Sequence, residues 1–160
     1  MWRRSFSLVA FLLLASCAYG QTGCDSTLSR HIYHPARLVA SAPCATVTGI
    51  IMDATHGKRV QGCRVEADGD YHCWLKLDPR QEQYINAENK AKQDGNLVWE
   101  PICQHKVTQA DALAACKGFH QNINIPPPGS HVRMTGVPVL DKQHGHMEIH
   151  PVTSIEVLAQ

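Results

Sequence analysis

The chain has 160 residues, with fifteen Lys and Arg against fourteen Asp and Glu, ten His and seven Cys. That length suits one domain built on one hydrophobic core. The near-neutral balance gives no electrostatic footprint for duplex nucleic acid, which wants a strongly basic face, while the histidines make charge sensitive to pH between about 5 and 8.

Residues 1–20 read as an export signal peptide. Met1-Trp-Arg-Arg4 is a basic start, Ser5 to Ala15 is an apolar run too short to span a bilayer, and small residues follow. Two processing patterns fit. Ala18-Tyr-Gly20 before Gln21 suits ordinary signal peptidase and a secreted or periplasmic product. Leu14-Ala-Ser-Cys17 resembles a bacterial lipobox, which makes Cys17 a lipid anchor and the chain an outer-membrane lipoprotein. No second apolar stretch of membrane-spanning length follows. Past the leader, thirteen basic and fourteen acidic side chains remain, a net charge of −1. The other six cysteines, Cys24, Cys44, Cys63, Cys73, Cys103 and Cys116, are an even number in an exported chain and read as three disulfides among fifteen pairings. No two C-x-x-C knuckles favour a zinc-thiolate site instead.

Residues 21–43 lack clear periodicity and form an irregular N-terminal lead-in tied down by Cys24; residues 44–160 form the main domain. Cys44 to Met52 is β-branched and alternating, a first strand, with Gly49 marking a bulge or bend. Residues 58–66 and 70–78 form a hairpin about Ala67-Asp-Gly69, after a turn around His56-Gly57. A three-residue loop with Gly69 left-handed sets Cys63 opposite Cys73 and predicts a cross-strand disulfide; a two-residue Asp68-Gly69 turn would spoil that register. Tyr71, Cys73, Leu75 and Leu77 then share one face, opposite His72, Trp74, Lys76 and Asp78.

Pro79 starts a helix over residues 80–93, with Tyr84, Ile85 and Ala91 as its apolar seam and Gly95 as its stop. Leu97 to Ile102 is a short extended piece ending near Pro101. Thr108-Gln-Ala-Asp111 opens a second helix with a capping-type start; Ala110, Leu113, Ala114 and Cys116 are its buried side, Gly118 ends it, and Cys103 and Cys116 bracket it as a staple. Pro126-Pro-Pro-Gly129 is a stiff linker. His131 to Leu140 follows as a strand bent at Gly136 and Pro138, and Asp141 to Gly145 turns into the last strand, which Thr153 to Leu158 completes. Five principal strands with helical matter between them predict a mainly-β, disulfide-stabilised, five-stranded OB-like barrel with two short helices.

Several stretches together resemble a largely uncharacterised family of exported bacterial proteins with OB-type barrels. They are Tyr33-His-Pro-Ala-Arg-Leu38, Cys44-Ala-Thr-Val-Thr-Gly49, Asp68-Gly-Asp-Tyr-His72 with Leu75-Lys-Leu-Asp-Pro79, Gly129-Ser-His-Val-Arg-Met-Thr-Gly136 and His144-Gly-His-Met-Glu-Ile-His-Pro-Val152. The resemblance implies architecture and export and no particular activity. Position 146 departs from the pattern, which usually has a tryptophan there.

The densest chemistry lies in His144-Gly-His-Met-Glu-Ile-His150. On a strand, His144, His146, Glu148 and His150 share the outward face while Met147 and Ile149 point inward. Alternate residues on a strand lie about 6.5–7 Å apart, too far for all four to reach one ion. Glu148 and His150 with a third ligand from a neighbouring strand, His72, Asp70 or Glu100, form a candidate site for a divalent metal, zinc or calcium. Asp68-Gly-Asp70 also resembles the calcium-binding motif of the thermonuclease family, another OB barrel, although no spacing around Arg59, Arg64 or Arg133 reproduces that family's other motifs. No G-x-S-x-G elbow is present, and Ser130 beside His131 is an ordinary surface pairing. Without a complete catalytic set, the leading expectation is a binding module for an unknown small ligand, glycan or protein, using His72, Trp74 and Tyr71 on the barrel face. The alternative is a metal-dependent, nuclease-like hydrolase using His150, Glu148, His144, His72 and Asp70.

Overall fold

The computed structural model describes residues 23–54 and 59–159; the expected leader, Cys17 and the turn at His56-Gly57 lie outside them. Among the described residues the strands in chain order are β1 (Leu38–Ala40), β2 (Ala45–Met52), β3 (Arg59–Val60), β4 (Cys63–Val65), β5 (Tyr71–Leu77), β6 (Leu97–Trp99), β7 (His131–Asp141) and β8 (Met147–Val157), with one α-helix, α1 (Ala87–Lys92), between β5 and β6. β2 pairs with both β5 and β7, and the path β5–β6–β8–β7 returns to it, closing a five-stranded barrel. Within that circuit only β6 and β8 run parallel. This strand order, with β2, β5, β6, β7 and β8 as strands one to five, is that of an OB barrel.

Alternation explains the core. Val47 and Ile51 of β2, Cys73 and Leu75 of β5, Leu97 and Trp99 of β6, Val132 and Met134 of β7, and Ile149 and Val152 of β8 are buried together inside. Gly49 sits where β2 leaves β5 for β7, opposite Leu77 on one side and Val132 on the other. A Cβ there would collide with the Lys76 carbonyl, so glycine permits the close backbone approach that closes the barrel, without a shift of register. The register shifts fall instead between β7 and β8, opposite Gly136 and Pro138 where the sequence predicts a bend, and the extra residues are on β8.

All three disulfides are present: Cys24–Cys44, Cys63–Cys73 and Cys103–Cys116. Arg64 lies opposite His72 and Val65 opposite Tyr71, a register that faces Cys63 to Cys73. Gly69 has φ +103°, as the three-residue loop requires.

The helical segments are shorter than expected. Over residues 80–93 a single 3-10 turn at Glu82–Tyr84 precedes α1, because Asn86 is extended and restarts the chain as an N-cap. Asn86 and Asn89 bond reciprocally to each other's backbone N–H groups, and the residue α1 buries is Asn89, while Ala91 is exposed. The second helix is reduced to a 3-10 turn at Ala110–Ala112. Ala112 is buried, and the expected Ala110, Leu113 and Ala114 face solvent. Thr108 and Gln109 donate their backbone N–H groups to the Ala67 carbonyl at 2.8 and 3.0 Å, so the would-be cap is spent on the β4–β5 loop.

Candidate binding site on the outer face of the barrel

Tyr71–Leu75 of β5, all of β6 and Glu148–Val152 of β8 are buried on both faces. Inside lies the barrel core; outside, the lead-in and the segment after β6 fold over the sheet, and a small cluster of Leu28, Ile102 and Cys103 fixes that cover. Cys73 pairs with Trp99, and Trp99 with Ile149. Continuing that register one residue sets His72, Glu100 and His150 in one row across three strands. Adjacent strands lie about 4.8 Å apart, so side chains meet across this row far more closely than along any one strand.

The contacts follow. Glu100 Oε1 is 3.0 Å from His72 Nδ1, and Glu100 Oε2 is 2.9 Å from His150 Nδ1. Glu148 Oε1 is 3.4 Å from His150 Nδ1, and Asp70 Oδ2 is 3.7 Å from His150 Nε2. Asp70 is held by its other oxygen, which accepts the Cys103 N–H at 2.6 Å. Despite these approaches, neither ring nitrogen of His150 has a hydrogen-bond partner in usable geometry, and neither do Asp70 Oδ2 and Glu148 Oε2. Such orphaned acceptors and donors in a dry interior are costly.

Arg37 is the counter-charge. Its Nη1 donates to Asp141 and lies 3.5 Å from Glu148 Oε1, and its Nη2 is 3.9 Å from Glu100 Oε2. A left-handed His34 (φ 48°) and the 3-10 turn Pro35–Arg37 aim it inward, and β1 then pairs with β7 so that Leu38 faces Asp141.

The charged groups respond to this crowding. Burial drives Asp70 well above the ordinary carboxylate range, opposed by His150 and aided by Asp68 and Glu100. Burial pushes Glu100 the same way, but the close approach of the His150 ring and the bond to His72 outweigh it and hold Glu100 well below that range. Burial disfavours a charged His150, yet Glu100 and Glu148 beside it raise its pKa well above that of free imidazole. Asp141, although desolvated, is lowered by its His144 bond and by Arg37.

Above the row opens a pocket of about 570 Å³, with Arg37, His72 and Glu100 toward its floor and Arg64, Asp68 and His144 among its walls. α1 helps shape it. Asn86 Nδ2 donates to the Gly145 carbonyl at 2.8 Å, and Asn89 bonds both the N–H and the carbonyl of Met147.

The expected histidine strand is corrected in two respects. β8 begins at Met147, so His144 and His146 belong to the preceding turn; His144 bonds Asp141 at 2.7 Å with its ring largely exposed. Glu148 and His150 do point away from the barrel core, but 1 % exposure each places them beneath the covering segments rather than on the surface. Ile149 is in the core and Met147 packs against it, as expected.

Of the three expected ligand contacts, only His72 lines the pocket. Trp74 is covered: it packs on Ala54 and Val98, and its Nε1 donates to Gln93 Oε1 at 2.9 Å beneath the end of α1. Tyr71 joins the core and stacks on His105. Neither is an exposed stacking platform. The site residues that sequence reasoning passed over are Arg37 and Asp141. No periodicity marks either as inward-facing. No family of proteins, curated protein or solved structure matches the chain.

Proposed function

We propose that the chain is an exported, disulfide-stabilised binding module whose ligand is a small, hydroxyl-rich molecule of the glycan class, held in the pocket over β5 and β6. One observation carries this reading. The pocket is lined by the β4–β5 loop, His72 of β5, Glu100 after β6 and the β7–β8 turn, the face and flanking loops with which OB barrels take oligosaccharides and oligonucleotides. The chemistry of the walls selects between those ligands. Base stacking needs exposed aromatic faces; Trp74 and Tyr71 are buried, and Tyr33, the tyrosine in the pocket lining, packs its ring on His34 and donates its hydroxyl to Asp111. Carboxylates at Glu66, Asp68 and Glu100 and guanidinium groups at Arg37 and Arg64 instead offer acceptors and donors for vicinal hydroxyls.

A glycan array followed by calorimetric titration of the strongest saccharide tests it. Binding that weakens about tenfold or more in Arg64→Ala is expected, the loss of one charged hydrogen bond. An array without saccharide binders, or one in which oligonucleotides bind and saccharides do not, overturns it. A second reading, a metal-dependent hydrolase, is favoured by the orphaned oxygens of Asp70 and Glu148 beneath the pocket. Chromogenic phosphodiesters left intact by zinc-, manganese- or calcium-supplemented protein remove that reading.

A further inference from the structure

The strongest unassigned feature is the set of ligand-type atoms beneath the pocket. Asp70, Glu100 and His150 each bring one such atom, and the three lie within 4.8 Å of one another, all buried. A second set, Asp141, His144 and His146, has the same spread. In that set one oxygen, Asp141 Oδ2, already serves both Arg37 and His144, and the other accepts the N–H groups of Gln143 and His144. Asp141 is therefore fully occupied within the protein. The Asp70 set differs, because Asp70 Oδ2 and both nitrogens of His150 have no hydrogen-bond partner while their side chains are 3 % and 0 % exposed.

We propose that Asp70, Glu100 and His150 bind one divalent transition-metal ion. The spacing supports this. Zinc ligands at about 2.0–2.1 Å in a tetrahedron stand about 3.3 Å from each other; one atom from each of these three side chains lies within 4.8 Å of the other two, and Asp70 Oδ2 is 3.7 Å from His150 Nε2. Charge supports it too. Glu100, Glu148 and Asp141 crowd around Arg37 while Asp70 lies against His150, and a dication among Asp70, Glu100 and His150 answers both the surplus of carboxylates and the orphaned Asp70 oxygen. The donor type narrows the metal. Calcium and magnesium take oxygen cages, whereas one imidazole with carboxylates suits zinc or manganese. The second coordination layer is in place as well: His72 bonds Glu100, and the Cys103 N–H bonds the free oxygen's partner on Asp70.

This site adds to the glycan-binding reading without requiring it, since the metal is measured with no saccharide present. The test uses the folded, disulfide-bonded protein, stripped with chelator and titrated with zinc and manganese by calorimetry, with thermal unfolding recorded alongside. The expected result is one ion per chain and a Tm that rises with metal and falls back with EDTA. Asp70→Asn retains the oxygen that accepts the Cys103 N–H while removing the charge at Oδ2, and should weaken binding at least thirtyfold, as should His150→Gln. His120→Ala, at an exposed residue away from the pocket, should leave it unchanged. Substoichiometric binding with no metal-dependent Tm overturns the proposal without reference to any variant's stability. So does affinity that survives Asp70→Asn but is lost in His144→Ala, which would move the ion to the Asp141 set.

Discussion

Arg37 carries the largest single consequence at the scale of one residue. It faces Asp141, Glu148 and Glu100, and its own side chain is 15 % exposed. Removing one partner of a buried ionic cluster strands the others, which typically costs about 3–5 kcal/mol. Arg37→Ala should therefore lose about 3 kcal/mol in urea unfolding, whereas a surface pair such as Arg133–Glu156 should lose less than about 1 kcal/mol. Asp78 makes a milder, pH-dependent contribution. Its carboxylate accepts from Thr48 Oγ1 at 2.6 Å and pairs with His131 at 2.8 Å, joining β2, the end of β5 and β7. These bonds, Thr48's first, lower its pKa. A depressed folded pKa means stability that is full above the unfolded value, about 3.9, and lost as pH falls through the folded one. Asp78→Asn should thus lower Tm at pH 7, and the gap from the parent protein should close on acidification toward about pH 2. A gap that stays constant with pH would contradict the assignment. Glu148 and His150 were legible in the sequence because a strand's period of two puts them on one face. Arg37 was not, because its aim depends on a left-handed His34 and a strand pairing with β7 that spans a hundred residues of chain.

Among the elements, strands were easier to read than helices, for a physical reason. β2 alternates along its whole length and its inward residues meet the same core, so local pattern and tertiary burial agree. Residues 80–93 and 108–118 have helix-forming composition but too little apolar stripe to bury. Short helices draw their stability from packing, so hydrogen bonds from Asn86 and to Ala67 decided the outcome instead. The hairpin register was legible because loop length fixes it. The barrel's closure point yields the clearest prediction for an element. A Cβ at Gly136 would lie 2.5 Å from the Pro151 carbonyl, and one at Gly49 meets the Lys76 carbonyl. Backbone cannot move aside as a side chain does, so Gly49→Ala and Gly136→Ala should each destabilise by about 1–3 kcal/mol in denaturant unfolding, while Gly23→Ala, with open space around it, should be near neutral.

For the whole molecule, the disulfides and the covering segments act together. Cys24–Cys44 ties the lead-in that carries Arg37, Cys63–Cys73 fixes the loop that carries Asp68 and Asp70, and Cys103–Cys116 holds the cover over β6. Each bridge anchors a different wall of one site. Replacing Cys24 and Cys44 by Ser should cost about 2–4 kcal/mol and should also loosen the pocket, read as faster hydrogen exchange at Lys142, whose N–H bonds the Arg37 carbonyl. The barrel could be anticipated from local patterns; the burial of its outer face could not, since that depends on where an aperiodic lead-in comes to rest. As proposed, the covered row of Asp70, Glu100 and His150 holds an ion and is more than a structural ionic knot. Crystals grown with zinc and measured at its absorption edge test it most directly. The expected result is an anomalous peak about 2.0–2.2 Å from Asp70, Glu100 and His150; a map at saturating zinc with no peak there, or with a peak only beside His144, would contradict the metal site.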